Sequence, residues 1–251
     1  MRTVIAVALM ILAGACGARA QHADTCSVPG YLLLGDNLLQ RVWASVGKKN
    51  ALKVVVFGTG SSTLPGSEAS PDAYPARLEA SLRKLLPGVT VEVSSHARSR
   101  QSAEKMVKTF EKIVADEKPD LAIWQTGTFD AMQGVDPREF LSSLTDGVEK
   151  LAAAGVDVIL VNMQYNPRTE NILPIETYAE KLRWVARERQ VPLFDRFAIM
   201  RNWNDTGVID LYAATKDITF AKRLHDCIGR ALATLIIDAG RLKTIENKPQ
   251  R

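Results

Sequence analysis

Histidine and cysteine are scarce in this chain of 251 residues, with three of each. So few cysteines exclude a small disulfide-knit scaffold. Two of them, Cys26 and Cys227, follow the N-terminal apolar run and leave three possibilities open: a disulfide, two buried thiols, or part of a metal site. A zinc site built on them and His225 lacks a fourth ligand at ordinary spacing, so no metal is expected. Long apolar runs are also missing after the first twenty residues, which leaves no segment able to span a bilayer as a helix. Basic residues form no cluster. The net charge is +4, falling to +2 without Arg2 and Arg19, and lysines and arginines alternate with acids. That spread argues against a nucleic-acid partner, which needs a concentrated basic face. Internal repeats and low-complexity stretches are absent as well.

What is present begins with a leader pattern. Met1-Arg2-Thr3 carries positive charge, Val4 to Ala15 is apolar, and Gly17-Ala18-Arg19-Ala20 ends in a small-x-small sequence. These are the three regions of a secretory signal peptide cleaved after Ala20. Cys16 offers a lipoprotein alternative, though Ala13 stands where a large aliphatic residue would be expected. The expected organisation is a signal at 1–20, an N-terminal extension with a short helix at 21–50 (Tyr31 to Val46), and one α/β domain at 51–251. The mature protein is then expected in the periplasm or outside the cell, with no membrane-spanning segment. Its oligomeric state is left open.

From Lys53 onward, short apolar runs alternate with helical periodicity. Val54–Phe57, Val89–Val93, Leu121–Trp124, Val156–Val161 and Val191–Phe194 read as strands. Tyr74–Leu86, a helix capped by Ser102, one opened by Asp136-Pro137, Ile175–Gln190 and His225–Leu242 read as helices. Alternation of this kind builds a five-stranded parallel sheet with right-handed crossovers and helices on both faces, a three-layer α/β/α arrangement.

Ligands of such sheets bind beyond the carboxyl ends of the strands. The first strand is followed there by Gly58-Thr59-Gly60-Ser61-Ser62-Thr63, the third by Gln125-Thr126-Gly127-Thr128-Phe129-Asp130. A phosphate-binding loop would need a lysine-serine pair after the glycines, and a dinucleotide fingerprint would need a helix to open at once. Neither condition is met, and no organic cofactor is expected. Gly35-Asp36-Asn37 looks like a nucleophile motif, but helical periodicity surrounds it and asparagine follows the acid.

The strand-Gly-x-Ser pattern, Tyr74 to Glu79, Ile123 to Thr128, Phe194 to Met200, and His225 with Gly229 together resemble one bacterial branch of the SGNH, or GDSL-type, hydrolase family. The resemblance covers the chain from about Lys53 and implies a flavodoxin-like fold and hydrolysis of a small ester, such as an acetyl group on a glycan. It makes Ser61 the nucleophile and His225 the base, with Asp217, upstream in the same loop, as a replacement for the orienting acid. Gly60, Ser62, Gly127, Thr128 and Arg98 would hold the oxyanion or substrate. Several positions depart from the family pattern. Without a one-residue slip, Gly60 rather than Ser61 occupies the nucleophile position. Phe129 stands at the oxyanion asparagine, Lys222 at the aspartate three residues before the histidine, and no glycine lies between Ala97 and Arg100. The departures keep a second expectation open, a catalytically silent protein that binds a ligand or envelope component, with Arg98 and Arg100 facing an anionic group.

Overall fold

The computed structural model describes residues 26–33, 37–64, 70–170, 172–212 and 218–242. The signal region, Cys16, Gly35-Asp36 and Asp217 lie outside them. Five parallel strands form one sheet in the order β2-β1-β3-β4-β5. They are β1 (Ala51–Gly58), β2 (Thr90–Ala97), β3 (Leu121–Gln125), β4 (Asp157–Val161) and β5 (Leu193–Phe194). The expected α/β/α class and strand count are observed. β3 is buried along its whole length and β1 from Val54 onward, which explains why both are continuous apolar runs rather than alternating ones. β5 is only two residues long, shorter than the expected Val191–Phe194. Pro192 has no N–H for the ladder, and its carbonyl instead accepts from Leu160.

The helices are α1 (Gln40–Lys49), α2 (Tyr74–Leu85), α3 (Ala103–Glu117), α4 (Thr128–Gln133), α5 (Pro137–Ala153), α6 (Ile175–Glu188), α7 (Arg196–Asp205) and α8 (Ile218–Ala239). Helix α2 packs on α8, and α3 and α6 both pack on α5. Trp124 of β3 shows how closely these layers meet. Its ring lies edge-on to Phe110, with centroids 5.0 Å apart, and its N–H points to Met106. A Cβ on Gly147 would sit 2.4 Å from it, so α5 carries glycine there despite the helix-propensity cost.

Three boundaries differ from expectation. The first helix begins at Gln40 rather than Tyr31, after a single 3₁₀ turn at Gly30–Leu32. Helix α7 was not anticipated; it is capped by Asp195, whose carboxylate accepts from the Ala198 amide at 2.9 Å. Helix α8 starts seven residues before His225, so the histidine sits inside a helix and not at its opening.

Helix α1 and the segment before it are tied into the same core. Val42 and Val46 are buried with the sheet residues, and Cys26 is joined to Cys227 of α8 by a disulfide spanning 201 residues of sequence. Closing so long a loop restricts the unfolded chain strongly. Replacing Cys227 by serine is expected to cost about 2–5 kcal/mol of unfolding free energy, measured by denaturant titration under oxidising conditions. Wild type treated with reductant should reproduce the loss.

Candidate active site

The site forms where β1 and β3 end side by side. Phe57 pairs with Trp124, which brings the residues after Gly58 over Gln125. A single 3₁₀ turn, Gly60–Ser62, follows, and it folds both serines back toward the sheet. Ser62 is fully buried; its hydroxyl donates to Gln125 Oε1 at 2.6 Å and lies 3.4 Å from the Tyr74 hydroxyl. Ser61 is half-exposed. Its Oγ accepts from Gln125 Nε2 at 2.6 Å and lies 3.3 Å from Thr59 Oγ1. Gly58 makes this turn possible, because a Cβ there would come within 2.2 Å of Ser62 Oγ.

Arg196, the first residue of α7, reaches the same point from the other side. Its Nη1 donates to Gln125 Oε1 at 3.2 Å, to the Ser61 carbonyl at 3.2 Å and to Ser61 Oγ at 3.3 Å. Its Nη2 reaches Gln164 Oε1 at 3.4 Å. A guanidinium can only donate, so these contacts fix which end of the Gln125 amide is oxygen. Arg196 is 1% exposed, and burial lowers its pKa to about 10. The helix start that carries it is set by Asp195, held by Arg183 at 2.7 Å and Asn162 at 2.7 Å.

His225 accepts a hydrogen bond from the start of a helix. Tyr74 opens α2 after Ala73, which has no side-chain acceptor to cap the helix. The Tyr74 amide therefore donates to His225 Nδ1 at 2.9 Å, satisfying a helix-end donor from outside. With its Nδ1 lone pair engaged, the neutral ring carries its proton on Nε2 and presents a donor there. Burial first, and then the Arg196 charge, lower its pKa to about 3. No hydrogen bond joins His225 to Ser61 or Ser62. Gly229 allows α8 to come this close: a Cβ there would lie 2.8 Å from the Leu78 amide nitrogen.

The remaining expected residues are dispersed. Gly127 takes a left-handed conformation (φ 101°) against Met163 and Phe140, and its amide faces the Asp130 carboxylate. Asp130 is buried, which raises its pKa, and it also accepts from the Ala103 amide that opens α3, at 3.0 Å. The Thr128 hydroxyl is buried without a partner. Gly60 is exposed, and Arg98 is exposed with its amide on the Gly58 carbonyl at 3.1 Å. Lys222, at the family's aspartate position, pairs with Asp72 at 2.8 Å. Thus Ser61 and Ser62 share one network with Gln125 and Arg196, His225 stands behind Tyr74, and Gly127 and Arg98 lie apart. Gln125 and Arg196 were not singled out in the sequence. The one signal was a polar residue closing an otherwise apolar strand.

Residues 25–242 match the model of the Non-GDSL lipase-like family. The chain belongs to the Non-GDSL lipase-like family. No curated protein matches it by sequence. Among solved structures, TesA superposes with a TM-score of 0.58 at 21% identity, over 72% of this chain and 98% of that one. A catalytic mutant of the acetylxylan esterase Axe2 from Geobacillus stearothermophilus gives 0.61 at 15%, over 76% and 96%. The psychrotrophic esterase EstA from Pseudoalteromonas sp. gives 0.58 at 12%, over 75% and 99%. At these identities the likeness is one of fold. The resemblance to SGNH-type hydrolases is thereby upheld for this Non-GDSL lipase-like chain.

Two outcomes follow from the geometry. Gly58→Ala is expected to displace Ser62 and lower stability by about 1–3 kcal/mol, read as a drop in the denaturation midpoint. For His225, the folded value of about 3 lies below the ordinary 6.5, so the unfolded chain protonates first. Its contribution is complete above pH 6.5 and is lost as the pH falls toward 3. Unfolding free energy should fall by on the order of 3 kcal/mol from pH 6.5 to 4. That slope should flatten in His225→Gln, whose amide oxygen can still accept from Tyr74.

Proposed function

We propose that this chain is an exported hydrolase of small esters, with acetyl esters of carbohydrate as the substrate class, working slowly through Ser61. The observation that carries the reading is the Ser61 hydroxyl itself. It is the half-exposed serine at the end of β1, and it accepts from Gln125 Nε2 at 2.6 Å and Arg196 Nη1 at 3.3 Å. Donors to the hydroxyl oxygen favour its deprotonated, nucleophilic form. Family membership and the esterase fold support an ester substrate. The disulfide and the leader pattern of the first twenty residues support export to the periplasm or beyond.

In this reading Ser61 Oγ attacks the ester carbonyl and its proton passes to His225. The departing alcohol takes that proton, and water then releases the acid from the acylated serine. To accept that proton the imidazole must first free a nitrogen lone pair, which breaks its bond with the Tyr74 amide. A base with a pKa of about 3 is a weak acceptor near neutrality. Asp217 is the acid proposed to orient it. With Phe129 and Lys222 at two of the family's polar positions, turnover is expected far below that of a complete site. Loss of one oxyanion donor alone typically costs about 100- to 1000-fold.

One observation favours a second reading. His225 Nδ1 is fully used as the cap of α2, which suits a protein that binds a ligand without converting it. A fluorophosphonate probe with mass-spectrometric site identification separates the two. Hydrolysis predicts slow labelling at Ser61, abolished in Ser61→Ala, reduced at least tenfold in His225→Ala and retained at Ser61 in Ser62→Ala. A folded protein with no adduct at Ser61 would leave binding as the function.

A further inference from the structure

Among the described residues, Arg196 is a buried cation without an anionic partner. The adjacent carboxylate, Asp195, is committed to Arg183, Asn162 and the Ala198 amide, and Glu170 is committed to Arg201. Asp72 holds Arg77 and Lys222. Every partner of the guanidinium is a neutral oxygen, from Ser61, Gln125 or Gln164. The nearby polar groups do not compensate, since Gln125 Nε2 points to Ser61 and the His225 imidazole is neutral. Buried charges in proteins are almost always paired, because desolvating an unpaired one costs several kcal/mol.

The pattern of unused donors is specific. Nη1 is saturated by Ser61 and Gln125. Nε is buried with no partner, and Nη2 has only the long 3.4 Å contact with Gln164. Nε–H and the adjacent Nη2–H form the side edge of the guanidinium fork, two parallel donors spaced to match the two oxygens of a carboxylate. Gln164 is half-exposed, so it is the side chain that can swing aside and admit a ligand to that edge.

We propose that the Nε/Nη2 edge of Arg196, gated by Gln164, is a carboxylate-binding subsite beside Ser61. A small organic carboxylate seats bidentately on the fork and supplies the missing countercharge. The carboxylate has two sources: the acid released from an ester, or a uronate residue of an acidic glycan. The subsite does not require Ser61 to be acylated, so it stands whether the protein hydrolyses or only binds.

The test is thermal unfolding and calorimetric titration of the disulfide-intact protein with sodium acetate, sodium galacturonate and, at matched ionic strength, sodium chloride. A saturable rise in melting temperature with a carboxylate and none with chloride is expected. Acetate alone acting would identify the product acid, and galacturonate acting more strongly would identify the glycan. Arg196→Lys keeps the charge but loses the fork, and should weaken binding at least tenfold. Arg196→Met should abolish it while melting, without ligand, at or above the wild-type temperature, because it removes an unpaired buried charge. A strut would behave in the opposite way. The proposal is overturned if no carboxylate raises the wild-type melting temperature beyond chloride, if Arg196→Lys binds as wild type does, or if a folded Arg196→Met still binds.

Discussion

The side chain of Gln125 joins the parts of the site. It closes a strand whose other residues are apolar and buried, so its amide has no water to bond and must find partners within the protein. Ser62 and Arg196 meet its oxygen, while Ser61 and Thr59 meet its nitrogen. The serines of the turn after β1 and the guanidinium of Arg196 all meet at this one amide. Gly58 is required for the same reason, since any side chain there would push Ser62 off it.

Histidine chemistry in the site is governed by a competing structural demand. A helix that opens on Ala73-Tyr74 has no side-chain acceptor for its first amides, and the imidazole of His225 fills that role. A histidine used in this way has one nitrogen engaged as acceptor and the other protonated, so no lone pair is left for a serine proton. The same burial and the Arg196 charge hold it neutral. Capping and proton acceptance draw on the same lone pair arrangement, and in this conformation capping holds it.

The departures from the family pattern become intelligible in that light. With Phe129 at the oxyanion asparagine and Lys222 at the orienting acid, the polar side chains that bond Ser61 Oγ among the described residues are Gln125, Arg196 and Thr59, the first two of them as donors. A donor-rich, acid-poor centre stabilises negative charge, whether that charge develops on a serine oxygen or arrives with a ligand.

Strand-helix alternation was legible in the sequence because buried parallel strands need unbroken β-branched runs, and helices need a 3.6-residue stripe; both are local properties. The glycine-serine turn after β1 was legible for the same reason, as was the placing of Ser61 beside it. Helix α7 escaped notice because its start depends on Asp195 being held by Arg183 and Asn162, partners distant in sequence. The network of Gln125 with Arg196 depends on the register of β1 against β3 and on a residue 71 positions further along. The role of His225 was equally hidden, since its identity and spacing suit a base while its contact with the α2 amide exists only once α8 lies on α2. The sequence alone therefore determined the layers, the strand count and the glycine-serine turn after β1, all governed by short-range pattern. Only the tertiary structure decided which donors surround Ser61 and which nitrogen of the histidine carries the proton, because hydrogen bonds between buried groups follow from packing and not from spacing along the chain.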